Sequence, residues 1–251
     1  MFYSADYMVG CMDVDVNDNV KPTSLIKFIQ DTANRQMHDR KPSYVELFAE
    51  KKAFIVSRFS IEIYKELHQF DEINVRTWTA GERGVTFYRG YQVMLGDECA
   101  ALASADWAVV DTADGHLYRT NEVDLSNYES GEKPDLDIAT RFMLPKDMRF
   151  EKCGDHHIDY SECDMNMHMN NSQYADVMWN TIDDIRNSKV TSYSIRFRTE
   201  AACGSDIEIY KGKAENSLLH DDRAEDVYAF RTLVDGKTNV EALFGIKHLA
   251  R

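Results

Sequence analysis

The chain has 251 residues, 43% of them hydrophobic and 11% aromatic, which allows one large domain or two of about half that size. Its 43 acids against 29 bases give a formal charge of −14, and a uniformly acidic surface disfavours nucleic acid and anionic membrane as partners. No apolar run approaches the roughly 18 residues that span a bilayer, and the first six residues carry no basic segment ahead of Asp6, so the expectation is a cytoplasmic protein without a signal or membrane insertion.

In chain order, the first marked feature is Asp15-Val16-Asn17-Asp18-Asn19, followed by apolar residues at helical spacing: Leu25, Phe28, Ile29, Ala33 and Met37. Ser24 is the expected cap of this helix. Ser43–Lys52 reads as a short second helix. Strand-like runs follow at Ser60–Ile63, Asp71–Val75, Val85–Leu95 and Cys99–Val110. Asp111–Phe150 holds Pro134 and Pro145 and little periodicity. It reads as an extended surface connector.

The pattern then repeats. Asp164-Met165-Asn166-Met167-His168 answers the first motif 149 residues later. Tyr174, Val177, Met178, Ile182 and Ile185 mark a helix, with Asn170, Asn171 or Ser172 as its cap. Strands are expected at Ser194–Phe197, Ser205–Ile209, Val227–Val234 and Val240–Ile246. Glu200 follows its strand as Glu66 does in the first copy. Each copy is thus strand, long helix and several antiparallel strands, an α+β unit. The expected domains are 1–120 and 150–251, joined by a connector over 121–149.

In an extended stretch Asp164, Asn166 and His168 point to one side and the methionines to the other. An acid, an amide and an imidazole would converge ahead of a helix N-terminus, whose free N–H groups favour an oxyanion. Such a set suits acyl transfer to water. On strict alternation, Glu200 shares the solvent face with Ser194, Arg196 and Arg198, and a bulge or strand end is needed to turn it inward.

The motif D-x-N-x-H-x-N-N, leading into a helix, with a glutamate after the next strand, resembles the acyl-acyl carrier protein thioesterases. Phe28-Ile29-Gln30-Asp31-Thr32-Ala33, Thr77-Trp78 and Ser104-Ala105-Asp106-Trp107 extend the resemblance over nearly the whole chain. It implies a tandem hot-dog fold, each half a long helix wrapped by an antiparallel sheet. It also implies hydrolysis of an acyl chain from acyl carrier protein to give free fatty acid. The family's catalytic residues fall on Asp164, Asn166, His168 and Glu200; Asn170 and Asn171 are candidate substrate contacts. Plant members carry a cysteine after the glutamate, where this chain has Ala201, so attack by water is expected rather than a covalent thiol intermediate. Asn19 replaces the histidine in the first copy, which is expected to be inactive and to hold the acyl chain.

Other readings keep the fold with acyl-coenzyme A as substrate, or make the protein a non-catalytic acyl-binding module. The five cysteines form no C-x-x-C pair and read as free thiols. His156, His157, Cys163 and His168 lack the spacing of a metal site. No metal or cofactor is expected. Acyl carrier protein is acidic, so docking calls for a basic patch, with Arg141, Lys146, Arg149, Lys152, Arg196 and Arg198 as candidates. A homodimer is one option for the assembled state.

Overall fold

A computed structural model describes residues 2–249. It divides the chain into two compact units. Unit 1 comprises residues 1–20, 25–59 and 64–136; unit 2 comprises 21–24, 60–63 and 137–251.

In unit 1, β1 (Tyr3–Met8), β2 (Lys52–Ile63, its last four residues belonging to unit 2), β3 (Glu72–Arg83), β4 (Thr86–Leu95) and β5 (Glu98–Asp111) are ordered β1-β3-β4-β5-β2. Most of α1 (Pro22–Asp39) and all of α2 (Tyr44–Ala49) belong to this unit. Leu25, Ile29, Ala33 and Met37 are buried on one stripe of α1, as their spacing requires. The helix starts at Pro22, a favoured first-turn residue, so Ser24 lies inside the first turn rather than capping it. Ser43 caps α2, its hydroxyl receiving the Glu46 N–H while Glu46 returns a carboxylate to the Ser43 N–H.

In unit 2, β6 (Glu151–His157), β7 (Ser188–Phe197), β8 (Asp206–Ala214), β9 (Asp226–Val234) and β10 (Lys237–His248) are ordered β7-β10-β9-β8-β6. Numbered within its own unit, each set of five has the same order, and the pairs with assigned register are antiparallel. The core of unit 2 is aromatic: Tyr193 stacks on Phe244 at 5.2 Å and Phe230 meets Phe244 edge-on at 5.3 Å. β10 is buried from Asn239 to Ile246 on both faces, which is why its sequence is a near-continuous apolar run.

Two expectations are corrected. The second helix, α3 (Gln173–Trp179), has seven residues and stops before Ile182. Asn180, Thr181, Asp183 and Asp184 are weak helix formers, and the acids oppose the negative end of a helix. The Thr181 hydroxyl donates to the Met178 carbonyl, and Lys211 Nζ from β8 donates to the Thr181 carbonyl at 2.6 Å. The connector is also no loose surface strand. Val123, Tyr128, Ile138 and Leu144 are buried. In unit 1 it runs beside β3, with Thr79 N–H donating to the Glu129 carbonyl and Gly131 N–H to the Thr79 carbonyl.

That packing depends on Trp78. Its Nε1 donates to the Glu132 carbonyl at 2.7 Å, and its ring stacks on Phe2 at 4.2 Å. The ring lies over Gly90, its cross-strand partner, where a Cβ would come within 2.4 Å of the indole. Gly90→Ala should therefore displace the indole and lower stability by about 1–3 kcal/mol, read as a fall in melting temperature.

A buried carboxylate, Asp221, organises a corner of unit 2. Its oxygens accept from Thr191 Oγ1 at 2.6 Å and from the Arg223 N–H and Nε. Burial raises its pKa, but these hydrogen bonds and the Arg223 charge outweigh that and hold it below the ordinary carboxylate range. A depressed pKa stabilises the fold above the unfolded value of about 4, and the benefit is lost as pH falls through the folded pKa. Asp221→Asn should cost stability at neutral pH, and the gap to the parent melting temperature should narrow as the pH falls below about 4.

Candidate active site

One carboxylate shapes the loop between β6 and α3. Asp164 Oδ1 accepts from the backbone N–H of Asn166 at 2.8 Å and of His168 at 3.3 Å. The Asp164 N–H donates to the His168 carbonyl at 2.8 Å, and the Met167 N–H to the Asp164 carbonyl at 3.1 Å. Aspartate favours such closures because its short side chain reaches its own backbone two residues on. The closure holds Met167 at φ +62°, a left-handed conformation costly for a side chain of its kind.

The loop is therefore a closed turn and not an extended stretch, and the expected convergence of three side chains is corrected. Asp164 folds back onto the main chain. Asn166 is exposed, with no side-chain hydrogen bond among the described residues. Only His168 meets another candidate: its Nδ1 lies 3.2 Å from Glu200 Oε2.

Glu200 reaches that position because β7 ends at Phe197, so strict alternation no longer governs it. Beyond the strand, Ala202 pairs with His168 as an isolated bridge. The Met169 N–H donates to the Ala201 carbonyl, and the Cys203 N–H to the Met167 carbonyl, both at 2.9 Å. Two turns are thus fastened together main chain to main chain, with the imidazole and the carboxylate at the seam. The pair is accessible: the His168 side chain is 32% exposed and that of Glu200 68%.

Unit 1 carries the same loop. Asp15 Oδ1 accepts from the N–H groups of Asn17 at 2.8 Å and Asn19 at 3.1 Å, and Asp18 takes φ +61°. Val14 and Val20 pair as Cys163 and Met169 do. The Val20 N–H donates to the Leu67 carbonyl as Met169 does to Ala201. Asn19 and Glu66 hold the register positions of His168 and Glu200, so this copy keeps the scaffold and a carboxylate but lacks the imidazole.

Asn170 is committed to structure. Its Oδ1 accepts from Ser172 N and Oγ, both at 3.0 Å. The N–H groups of Gln173, Ala175 and Asp176 at the start of α3 are also occupied, so this helix start has less donor capacity for an oxyanion than its sequence suggests. Asn171 sits in the turn ahead of the helix. A tie that sequence reasoning missed is His156 Nε2 to Glu162 Oε2 at 2.9 Å, which fastens β6 to the loop. The His156-x5-Glu162 spacing was its only signal.

Thiol chemistry gains no support. The position after Glu200 is the buried Ala201. Burial and a hydrogen bond shared with Cys203 push the Cys163 thiol up to about 11, and a thiol is a poor nucleophile when protonated. The three-residue grouping nearest to a metal site among the described residues, Asp111, Asp114 and His116, shares no member with this loop. No described helix is long and apolar enough to cross a membrane.

Solved thioesterase structures share this antiparallel α+β fold. An acyl-ACP thioesterase of Bacteroides thetaiotaomicron matches with a TM-score of 0.84 at 15% identity, covering 98% of each chain. A 12:0-ACP thioesterase of Umbellularia californica matches at 0.74 and 12% identity, covering 98% of this chain and 97% of that one. At these identities the likeness is one of fold. No curated protein matches the sequence. Family models nonetheless match both halves: the acyl-ACP thioesterase N-terminal domain over residues 1–124 and the C-terminal domain over residues 146–242. The chain belongs to the acyl-ACP thioesterase family, and family and fold together support a fatty-acyl thioester hydrolase.

Asp164→Ala should remove the closure of the loop. The expected result is a loss of about 1–2 kcal/mol and roughly tenfold faster exchange of the His168 amide hydrogen, measured by hydrogen–deuterium exchange.

Proposed function

We propose that the protein hydrolyses the thioester of acyl-acyl carrier protein, releasing free fatty acid, and that its two units are tandem hot-dog domains. The observation that carries this is the His168–Glu200 pair at 3.2 Å on the family's own motif. A carboxylate accepting the Nδ1 proton fixes the imidazole tautomer and leaves the Nε2 lone pair to act as base. On this reading a water held at Nε2 loses its proton to His168 as it attacks the thioester carbonyl, and the imidazolium returns that proton to the sulfur of the carrier thiol as the C–S bond breaks. Glu200 orients the ring and stabilises the imidazolium that forms. Asn166, exposed at the turn, supplies an amide to the carbonyl or the water when substrate arrives, and Asp164 acts through the loop it closes. Asn170 and Asn171 line the approach.

The pair is open to solvent, and polar contacts so exposed gain strength when covered. A bound acyl thioester and its carrier supply that cover. Unit 1, with Asn19 in place of the imidazole, serves as the acyl-chain domain. For the acidic carrier, Arg141, Lys146 and Arg149 are exposed docking candidates. Lys152 is tied to Asp155 and Glu208, and Arg198 to Glu241, so these two contribute less to docking.

His168→Ala should cut turnover of acyl-carrier thioester by roughly 10²–10⁴-fold with the fold intact. Glu200→Gln should lower it by a smaller factor, while Cys203→Ala and Asn19→Ala stay near the parent rate. Carrier-protein and coenzyme A thioesters offered side by side, at low and high salt, test the substrate. A lower KM for the carrier form that rises with salt supports the proposal. Equal use of both thioesters with no salt effect supports the coenzyme A reading, and near-full activity in both His168→Ala and Glu200→Gln overturns the site.

A further inference from the structure

Unit 2 carries a cation that neither its packing nor the hydrolytic chemistry uses. Directly opposed residues of an antiparallel sheet share a face. One such row crosses the unit: Arg196 on β7, Glu241 on β10, Arg231 on β9, Tyr210 on β8 and Lys152 on β6. Arg198 joins it just past the end of β7, where its N–H donates to the Asn239 carbonyl.

Glu241 is buried at the centre of this cluster. Its Oε2 accepts from Arg198 Nε at 2.8 Å and Nη2 at 2.6 Å, and its Oε1 from Arg231 Nη2 at 3.1 Å. Two guanidiniums thus share one carboxylate. Arg231 Nε is buried and bonds to no described group, and Arg231 Cζ lies over the Phe150 ring, 4.7 Å from its centroid. Arg196, directly opposite Glu241, is half-buried and makes no hydrogen bond or ion pair among the described residues. Leaving a guanidinium partly buried without an acceptor is costly, and its planar fork matches the paired oxygens of a phosphate or a carboxylate.

The row has a polarity. At its β6 end Lys152 faces two acids, Asp155 and Glu208. At its β7 end three arginines face one acid, which leaves two positive charges over on a molecule of formal charge −14. An anion is therefore drawn to the β7 end. Position then selects the kind of anion. Arg196 lies four residues ahead of Glu200. A thioester of acyl carrier protein or of coenzyme A sits on a pantetheine arm whose far end is a phosphate ester. About twelve bonds separate the ester oxygen from the sulfur, as many as in four residues of main chain. A phosphate at Arg196 therefore lets the thioester reach His168 and Glu200. The carboxylate of a released acyl chain forms at that pair instead, a whole arm's length away.

We propose that Arg196, with Arg198 and Arg231 beside it, binds the phosphate ester at the end of the substrate's pantetheine arm. This rests on the reading of the protein as a thioester hydrolase and adds to it the anchor for the carrier end of the substrate.

Steady-state kinetics of the full chain on four thioesters of one acyl chain test this: S-acyl pantetheine, S-acyl 4′-phosphopantetheine, the coenzyme A form and the carrier-protein form. In the parent, adding the phosphate to S-acyl pantetheine should lower KM roughly tenfold. Arg196→Gln should bring that ratio close to one while keeping the parent melting temperature, since Arg196 holds no partner in the fold. Arg196→Lys, which keeps the charge but not the fork, should restore part of it. A rise in KM of Arg196→Gln for the carrier form alone, or for the coenzyme A form alone, supports the site and names the source of the phosphate; a rise for neither overturns the anchor. Equal KM for S-acyl pantetheine and its phosphate in the parent overturns the phosphate site and leaves the hydrolase reading in place. A phosphate preference that survives in Arg196→Gln overturns the assignment to this cluster. Hydrolysis of none of the four removes the hydrolase reading together with the proposal built on it.

Discussion

The geometry at His168 depends on a single carboxylate, that of Asp164, accepting two backbone N–H groups of its own loop. Such a closure converts a flexible helix entry into a rigid bracket. Once the bracket is shut, the main chain of residues 167–169 is free to pair with residues 201–203, and that pairing sets the distance between imidazole and carboxylate. The same closure at Asp15 holds a loop with asparagine where the histidine stands. Bracket and imidazole are thus separable: the loop occurs twice, with a histidine at this register position in one copy.

The electrostatics of this site are those of an open surface, with an exposed glutamate and a partly covered histidine. Catalytic acids and bases gain most from a low dielectric. On the proposed function, that condition comes from the substrate that covers the pair.

Much of this was legible in the sequence, and the misses have physical causes. The repeat was visible because the Asp-x-Asn motif and the strand order recur, and strand pattern survives where residues alternate or stay apolar. The length of α3 was not visible. Ile182 and Ile185 continue the helical period by coincidence, since Ile182 is buried in the turn that follows. The role of the connector was hidden because its burial depends on Trp78, Gly90 and Arg40, all distant in sequence. Alternation sets the Asp164 side chain beside those of Asn166 and His168, because periodicity carries no information on a residue that bonds to its own backbone. Glu200 stays largely exposed, as alternation along its strand expects, and meets His168 because the strand ends three residues earlier, at Phe197.

The boundary of unit 2 has a consequence for how the chain is made. Its residues 21–24 and 60–63 come from the first quarter of the sequence. Thr23 and Asp176 cap each other: the Thr23 N–H donates to the carboxylate at 2.9 Å, and the Asp176 N–H donates to the hydroxyl at 3.1 Å. Tyr193 Oη reaches the Pro22 carbonyl, and Ser194 Oγ reaches Ser60 Oγ. A ribosome that has released the first 136 residues has therefore exposed two short stretches whose partners are still unmade. They must wait for the second half to emerge, and a fragment beginning at residue 137 would lack both. Similar as the two halves are in strand order, a cut at the point where the repeat changes over would part unit 2 from two of its own segments.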